Sequence, residues 1–336
     1  MLRFWGHADM PLTSAVVVPV LNGASTIRPC IESLLAQKMR GPAPDIVIVD
    51  NGSTDATPDV VREYPVRLLH EPRPGPAAAR NAGIRATPQA EVVALTDADC
   101  TPVAHWLQRL VDVYADAAVG GAGGDIVGFA VDPSSAVERL SERMQSLVNF
   151  HSGDGEFLPH LYTANASYRR RALDAVEGFN ELLVTSDDVD ISWRVQLAGF
   201  AIRHVPDAAV LHRHRTTVEG LRRQFRQYGY GEVLLDARYG HHPGYPRGMG
   251  FQVRRMSGQV AAMARYAGSL GVRAAGYVLG RRSKDDIVWP LLLLAVEASN
   301  VSGKMEAIWA TRFMRKPHLA LRRDPTGLIR RMYHSA

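Results

Sequence analysis

The amino-acid sequence predicts an α/β fold, with a mostly parallel mixed sheet flanked by helices and a helical, basic C-terminal extension. Three observations support this prediction. In the first hundred residues, β-branched apolar runs of strand length alternate with helical segments, a pattern typical of parallel sheets with helical crossovers. Each apolar run ends in turn-forming or polar residues. Beyond Thr216 the pattern becomes helical and rich in arginine.

Four strands are predicted in the first hundred residues. The run SAVVVPVLNG (14–23) is continuously apolar, as expected for a strand buried on both faces. The others are DIVIVDNGSTDAT (45–57), VRLLHE (66–71) and EVVALTDAD (91–99). Between them, apolar residues recur at helical spacing over 25–37, TPDVVREY predicts a short helix, and PGPAAARNAGIRAT predicts a loop that enters a helix.

The order of elements changes after residue 100. We predict helices at 105–116 and 134–150, strands at 123–132 and 158–170, and a helix with a turn at 171–181. The segment 186–200 predicts a helix with three carboxylates in its first turn, and 201–215 predicts a final strand or pair of strands. The α/β unit should therefore end near 215–220.

Charge is distributed unevenly along the 336 residues, whose net charge is +5. Residues 1–200 carry 16 Lys and Arg against 25 Asp and Glu, whereas residues 201–336 carry 23 against 9. A basic C-terminal part predicts an anionic partner, such as a phospholipid surface, a nucleic acid or a phosphorylated substrate.

The two cysteines, Cys30 and Cys100, lie far apart and follow no disulfide or metal-binding spacing. This cysteine usage predicts a reducing compartment, and therefore a cytoplasmic location. The apolar run near the N-terminus follows Asp9 and Pro11, so we interpret it as a buried strand rather than a signal peptide.

Polar clusters follow all four predicted strands. Ligands of α/β sheets bind at the carboxyl ends of parallel strands, so adjacent strands would bring these clusters into one crevice. Each cluster also has a local alternative, as a turn or a helix cap. In chain order the clusters contain Pro19, Val20 and Asn22; Asp50 and Asn51; Gly75, Arg80 and Asn81; and Asp97 and Asp99.

The segments VVVPVLNGASTIRPCIESLLAQ, IVIVDNGSTDAT, GPAAARNAGIRA and ALTDADC closely resemble the nucleotide-sugar half of the inverting family 2 glycosyltransferases, which have the GT-A fold. The resemblance continues through YTANASYRR, GFNELLVTSDDVDISWRVQLAGF and VLHRHR, and covers roughly 14–215. It implies an N-terminal lead (1–13), a catalytic domain (14–218) and a basic helical extension (219–336). Within the catalytic domain, 14–102 would bind the nucleotide sugar and 103–218 would form the acceptor side.

The resemblance implies roles in donor binding. Asp50 would accept a hydrogen bond from the pyrimidine ring, and Arg80 would reach the base or the phosphates. Gly75 would permit close backbone approach. Further donor contacts are implied at Pro19, Val20, Asn22, Asn51, Asn81, Asp97, Ala98 and Asn165, the last toward hydroxyls of the donor or acceptor sugar.

The Asp97-Ala98-Asp99 segment matches the DxD motif of the family. The resemblance implies that Asp99 binds a divalent cation directly, while Asp97 faces the ribose and metal-bound water and is a supporting metal ligand. Oxygen ligands favour Mn²⁺ or Mg²⁺. His212 would complete the metal shell or contact the diphosphate, and His214 lies on the same face as a weaker candidate; the alternative is that both are surface residues.

Ser186-Asp187-Asp188 stands where the family carries its catalytic base, which the resemblance places at Asp188, with Asp187 left open as the alternative. A hydroxyl nucleophile requires such a base. The local alternative is that these acids only complement the helix dipole. Asp190 should pair with Arg194 at i,i+4. Trp193 could stack on an acceptor sugar or belong to the core.

The resemblance implies sugar transfer from a nucleotide-diphosphate sugar, with UDP-sugars first among the donors, to a glycan or lipid-linked acceptor in cell-envelope or exopolysaccharide synthesis. The alternative is a catalytically inactive nucleotide-sugar-binding protein. VPVLNGAST lacks the Gly-rich, basic loop of a nucleotidyltransferase. No nucleic-acid partner is expected, because the basic helices carry long apolar faces.

The C-terminal extension predicts amphipathic helices, including 221–240. Its most apolar run, Ile287–Val296, has about half the length of a membrane span. Two interpretations remain open: the helices lie on the inner face of the cell membrane as a peripheral contact, or they pack on the catalytic domain.

Overall fold

The computed structural model describes residues 11–144, 149, 157–245 and 249–312. The strands are β1 (Ser14–Val20), β2 (Asp45–Asp50), β3 (Arg67–His70), β4 (Val92–Thr96), β5 (Cys100–Pro102), β6 (Val119–Gly123), β7 (Ile126–Phe129), β8 (Asn165–Arg169), β9 (Ala201–His204) and β10 (Val210–Arg213). The helices are α1 (Ile27–Leu35), α2 (Thr57–Arg62), α3 (Pro76–Ala86), α4 (Trp106–Asp112), α5 (Ala136–Met144), α6 (Arg170–Ala175), α7 (Asp187–Leu197), α8 (Val218–Tyr239), α9 (Met249–Val278) and α10 (Asp285–Arg312).

Seven strands form the main sheet, in the order β3-β2-β1-β4-β8-β6-β9. The first four are parallel neighbours, β8 is antiparallel to both β4 and β6, and β9 is parallel to β6. A small second sheet has the order β5-β10-β7. The predicted mostly parallel mixed sheet is therefore confirmed.

Helices cover both faces of the main sheet, and β1 is therefore buried on both sides. Val16 and Val18 pack with α1 and α4 in one apolar cluster, whereas Ala15 and Val17 belong to a second cluster with α3 and α7. The alternation of side chains along a strand separates these two layers. The carboxyl ends of the parallel strands are left at one open edge, where the predicted polar clusters lie.

The second half of the catalytic region differs in detail from the sequence prediction. The segment predicted as one strand at 123–132 forms the end of β6 and all of β7, which belong to different sheets. The sequence VGGAG of β6 contains little apolar bulk, because Gly121 packs directly against the Tyr168 ring. The predicted 134–150 helix is present as α5, and 145–148 and 150 lie outside the described residues.

The C-terminal helices pack on the α/β unit. Leu183 and Val184 contact Tyr230 and Leu234 of α8 and Ala307 of α10 in one apolar cluster. A second cluster joins α5 to α8 and α10. Packing on the catalytic domain was one of the two predicted arrangements. Within the described part of the chain, no helix combines the length and apolar character that crossing a membrane requires.

Candidate active site

Two cavities meet at the carboxyl edge of the parallel strands. The first, which we call the strand-edge cavity, has a volume of about 330 Å³ and is lined by Pro19, Val20, Asn22, Asn51, Ala98 and Asp99, among others. The second, the cleft, measures about 480 Å³ and extends to the start of α7 and to α8. Pro76, Arg80, Asp97 and Arg215 line both cavities. The predicted polar clusters of adjacent strands therefore converge.

Arg80 stands at the junction of the two cavities. Its Nη1 donates to Asp187 Oδ2 over 2.7 Å, and its Nη2 to Asp97 Oδ1 over 3.3 Å. The guanidinium also lies over the Phe179 ring, at 5.7 Å from the centroid. Burial opposes its charge, but the neighbouring carboxylates raise the pKa of Arg80 above its ordinary value. Arg80 therefore links the DxD segment to α7 through a buried charge.

Asp188 is the second carboxyl at the start of α7. Its Oδ1 accepts a hydrogen bond from the backbone N–H of Val189 over 2.8 Å, and the residue lines the cleft. Burial, together with the neighbouring charge of Asp187, raises the pKa of Asp188 to about 7. A carboxyl that titrates near neutrality can accept a proton in the working pH range. Asp187, by contrast, is held in the ion pair with Arg80.

Asp99 and His212 meet because β5 and β10 pair antiparallel, with Cys100 opposite His212. His212 Nε2 lies 3.6 Å from Asp99 Oδ1, and ligand atoms of Asp99, Cys100 and His212 lie within 4.8 Å of one another. The Asp99 carboxylate suits Mn²⁺ or Mg²⁺, and the His212 imidazole would add a nitrogen ligand. Burial raises the pKa of the Cys100 thiol well above its ordinary value, which disfavours the thiolate that a metal would need. Asp97 lies outside this cluster and faces Arg80.

Sequence reasoning missed Arg215. Its Nη1 lies 3.1 Å from Asp99 Oδ2, and its side chain is about half exposed. It comes directly after the VLHRHR segment's two histidines, so a cation just past a strand end was the available signal. Arg215 places a positive charge beside Asp99, in the lining of both cavities.

Asn22 lines the strand-edge cavity, and Asp50 and Gly75 each precede a residue that lines it, Asn51 and Pro76. Asn22 adopts a left-handed backbone conformation with φ 52°, and its Oδ1 accepts from the Thr54 N–H over 2.8 Å. Asp50 is buried at the end of β2, where Oδ1 accepts from the Ser53 N–H. Gly75 has φ 118°, a conformation open to glycine, and leads directly into α3. The donor contacts implied for these residues stay predictions.

Two asparagines implied as donor contacts are instead bound to backbone. Asn51 donates to the carbonyls of Glu71 and Arg73 and accepts from the Gly75 N–H, so its amide fixes the loop before α3. Asn81 donates to the Phe179 carbonyl and accepts from the Phe179 N–H. The structure does not support side-chain donor contacts for either residue, because their amides position loops around the site.

Asn165 is the third asparagine for which the structure gives no support to the implied sugar contact. Its side chain is fully buried; Oδ1 accepts from Trp106 Nε1 over 2.7 Å, and Nδ2 donates to the carbonyls of Asp125 and Ala208. An amide with both donors and its acceptor engaged offers nothing to a sugar hydroxyl. Asn165 therefore has a structural role, joining the main sheet to α4 and to the segment before β10.

The remaining residues of α7 have structural roles. Asp190 pairs with Arg194 at 2.7 Å, which confirms the predicted i,i+4 pair. Its other oxygen accepts from Arg238 and from the Tyr239 hydroxyl, which ties α7 to α8. Trp193 is fully buried and donates to the Leu158 carbonyl, so it belongs to the core rather than to an exposed stacking platform.

Helix α8 forms one wall of the cleft, which sequence reasoning missed because it treated the basic extension as separate. Its residues at helical spacing, Gln224, Gln227, Tyr228, Glu232 and Leu235, line the cleft opposite Asp188. Glu232 is held by Lys304, whose side chain is completely buried, and by Arg255, each at 3.1 Å. The extension thus supplies polar side chains to the cleft.

A third cavity of about 420 Å³ adjoins the cleft between β7, α5 and α8. It shares His212, Arg215 and Gln224 with the cleft, and Val127, Leu221 and Phe225 add apolar surface. His214 lines this cavity next to Gly128, where a Cβ would come within 2.1 Å of its ring. The two histidines of β10 therefore face the same side, as predicted, but only His212 approaches Asp99.

Comparisons with known proteins agree with this arrangement. A family model described as glycosyl transferase family 2 matches residues 15–176. A pre-mycofactocin glycosyltransferase from Mycobacterium tuberculosis is 32% identical over 242 residues, covering 69% of this chain and 48% of that relative. The chain thus spans about half the length of that relative. Glycosyltransferase AglE from Haloferax volcanii is 29% identical over 238 residues, covering 68% of this chain and 75% of its own.

Among solved structures, the mannosyltransferase PcManGT from Pyrobaculum calidifontis, in complex with GDP-Man and Mn²⁺, superposes with a TM-score of 0.55. The match covers 90% of this chain and 88% of that one, at 20% sequence identity. The two chains therefore share their fold.

Proposed function

The chain belongs to the family 2 glycosyltransferases and has the GT-A fold, and from this premise we propose that it transfers a sugar from a nucleotide-diphosphate sugar to an acceptor hydroxyl with inversion. One observation carries the proposal. Arg80 joins Asp97 of the DxD segment to the Asp187-Asp188 pair, at the point where the strand-edge cavity opens into the cleft. A donor in the first cavity and an acceptor in the second would meet there.

Asp188 is the proposed general base. Its pKa of about 7 leaves a substantial deprotonated fraction at neutral pH, which can take the proton of an acceptor hydroxyl as it attacks. Burial raises the pKa of Asp187 as well, but its carboxylate is engaged by Arg80 through a 2.7 Å hydrogen bond and is therefore less available to an acceptor hydroxyl. Direct attack by one hydroxyl, without a covalent enzyme intermediate, inverts the configuration at the sugar carbon.

Asp99 and His212 would hold the divalent cation, Mn²⁺ or Mg²⁺, with Asp97 facing the ribose and metal-bound water. When bound, the ion supplies positive charge that stabilises a leaving nucleoside diphosphate. Arg215, next to Asp99, adds a protein cation on the same side. The Mn²⁺ of the mannosyltransferase complex supports a divalent metal in this fold.

We propose that the nucleotide lies in the strand-edge cavity, with its base near Pro19 and Val20 and its ring recognised by Asp50. UDP-sugars are the first donors to test, and the GDP-Man of the solved mannosyltransferase makes GDP-sugars the second. The acceptor would be a glycan or a lipid-linked molecule of the cell envelope or an exopolysaccharide. Its hydroxyl would lie between Asp188 and the polar residues of α8.

The catalytic unit is proposed to span 14–218, with 14–102 on the donor side and 103–218 on the acceptor side. The extension after 218 contributes the α8 wall. We also propose a cytoplasmic enzyme that contacts the inner face of the membrane peripherally. Both cysteines are free and buried, which is compatible with a reducing compartment.

A thermal-shift screen tests the proposal. UDP-, GDP- and dTDP-sugars are added with and without Mn²⁺, and a ligand that binds the native state raises the melting temperature. The stabilising donor is then assayed for hydrolysis and for transfer. We expect metal-dependent stabilisation and slow release of the sugar to water. Nucleotide-sugar binding without turnover would instead favour the inactive binding protein, and no binding at all would overturn both.

A further inference from the structure

Large apolar side chains are exposed along one helix of the C-terminal extension. In α9 and the loop after it, Val253, Val260, Val272, Val278 and Leu279 are exposed by 53 to 82%. Single exposed apolar residues are ordinary on soluble proteins, whereas a contiguous group marks an interaction surface. Three of these residues share one face of the helix, whereas Val272 and Leu279 lie about 100–120° around it.

Val253, Val260 and Val278 lie on one face of α9, because separations of 7 and 18 residues correspond to nearly whole numbers of helical turns. Ala264 and Ala267 are also exposed and lie on the same side. Gln259, about 100° around the helix from Val260, donates to Glu297 and Asn300 of α10. The apolar stripe therefore runs beside the contact with α10 and stays exposed.

The charges around this stripe are mainly positive, although Arg282 pairs with Asp286 at 3.6 Å. Arg254 and Arg265 are exposed beside it, and Arg281, Arg282 and Lys284 follow the end of α9. From residue 246 to residue 284 the sequence contains no Asp or Glu. An apolar stripe with exposed arginines on one side, on a helix that contains no Asp or Glu, complements an anionic bilayer surface, where apolar side chains enter the acyl boundary and guanidinium groups contact phosphates.

We propose that the outward face of α9, formed by Val253, Val260 and Val278 with Arg254 and Arg265, docks on an anionic phospholipid bilayer. Arg255, on the inner side of the same helix, lines the cleft. The bilayer and the cleft would then lie on two sides of one helix, which is about 10–12 Å across. Docking in this orientation would bring an acceptor held in the membrane near Asp188, and that consequence rests on the proposed function. The docking itself is independent of the proposed function.

The test measures co-sedimentation of the full chain with vesicles of phosphatidylglycerol and phosphatidylcholine in equal parts, and with phosphatidylcholine alone. We expect binding to the anionic vesicles that weakens with added salt. Val260→Asp and Val278→Asp should each lower the partition coefficient roughly tenfold or more, because a charge replaces a valine that the bilayer would otherwise bury. Val131→Asp is the matched control, since Val131 is 54% exposed and Val260 53%.

Three results would overturn the proposal: no vesicle binding by the wild type, equal binding by Val260→Asp and the wild type, or equal loss in Val131→Asp. Light scattering measures the oligomeric state of the same proteins. A dimer that Val260→Asp dissociates, without vesicle binding, would make the stripe a self-association surface instead. The nucleotide-sugar screen is run on the same variants, so that failure of docking and failure of the proposed glycosyl transfer are read separately.

Discussion

Arg80 donates a hydrogen bond to Asp187 over 2.7 Å, although the two residues are 107 positions apart in the chain. Both side chains are almost completely buried. The same guanidinium reaches Asp97 at 3.3 Å, so it is shared by the end of β4 and the start of α7. The strand-edge cavity and the cleft are thus joined through one buried cation, and Arg80 positions carboxylates in both.

Replacing Arg80 by Ala should destabilise the protein by about 3–5 kcal/mol, because it leaves the buried Asp187 carboxylate without a counter-charge. Chemical unfolding measures this change. Arg80→Lys should lose less stability, since a charge remains, but it cannot contact Asp97 and Asp187 with two separate N–H groups. A second consequence is weaker donor binding, because Asp97 is no longer oriented.

Arg85→Ala is the control for this substitution. Arg85 lies on the same helix and is more than half exposed, with carboxylates at 3.7 and 3.8 Å. Exposed pairs of this kind contribute at most about 1 kcal/mol. Equal losses of stability in the Arg80→Ala and Arg85→Ala variants would show that the buried Arg80–Asp187 pair contributes no more to the free energy of unfolding than an exposed pair.

The pKa of Asp188 predicts the pH dependence of transfer. Burial and Asp187 raise it from 3.8 to about 7, so the basic form required for proton abstraction is populated as pH rises through about 7. Transfer by the wild type should therefore increase with pH across this range, as measured by kcat/KM for the donor. Asp188→Asn should retain donor binding while losing transfer. Transfer by Asp188→Asn at the wild-type rate would exclude Asp188 as the base.

The raised pKa of Asp188 also predicts the pH dependence of stability, which should fall over the range in which transfer rises. Its pKa is higher in the folded state, so its protonated form favours folding, and this contribution is lost as pH rises from about 4 to about 7. The stability of the wild type relative to Asp188→Asn should fall over that range and level off above it. Urea unfolding across the pH range measures the difference. A flat difference would mean that Asp188 titrates at its ordinary value.

Much of this site was predictable because strand ends carry local signals. Asp97, Asp99 and Arg80 follow apolar runs whose type and order indicate a parallel sheet, and the structure brings them together. In the structure the amides of Asn51, Asn81 and Asn165 are held by protein partners, which the sequence could not show because nothing local distinguishes an asparagine that binds a sugar from one that binds backbone carbonyls. That distinction depends on partners such as Trp106, 59 positions from Asn165. The α8 wall was missed for the same reason, since its contacts with α7 are entirely tertiary.

The metal proposal predicts different effects at Asp99 and at another Asp–His pair. Asp99→Asn and His212→Gln should weaken Mn²⁺ binding, measured by electron paramagnetic resonance of the free ion, because each removes a ligand of the proposed site. The control is His204→Gln, since His204 and Asp125 also pair, at 2.7 Å, but lie outside the cluster. Mn²⁺ affinity unchanged by both Asp99→Asn and His212→Gln would place the ion elsewhere.

Asn165→Ala tests the structural role of Asn165. The substitution leaves the Trp106 indole N–H and the carbonyls of Asp125 and Ala208 without their partner. Each unsatisfied buried group costs about 1–3 kcal/mol, so a loss of several kcal/mol in unfolding free energy is expected. Donor affinity of the folded protein should stay unchanged. A stable Asn165→Ala protein with weakened donor binding would restore the sugar-contact interpretation.

Gly231 controls how closely α8 approaches the turn that precedes Asp188. A Cβ at this position would lie 2.0 Å from Ser186 Oγ and 3.0 Å from the Thr185 side chain, so Gly231→Ala must push the helix away or distort the turn. Overpacking of this kind costs about 1–3 kcal/mol. Because α8 faces the acceptor side, transfer should fall more than donor binding, as measured by kcat/KM and by the donor-induced thermal shift.

Ser186 supplies the rescue for Gly231→Ala, since its side chain is the nearest obstacle and its φ of 59° is left-handed. Ser186→Gly removes the Oγ and adopts this backbone conformation without strain. The double variant should therefore recover stability and transfer that Gly231→Ala loses. Gly258→Ala in α9 is the control, because no heavy atom lies within 4 Å of its added Cβ. There the higher helix propensity of alanine should stabilise the protein by about 1 kcal/mol. If Gly231→Ala behaves like Gly258→Ala, the close approach of α8 to Ser186 does not shape the cleft.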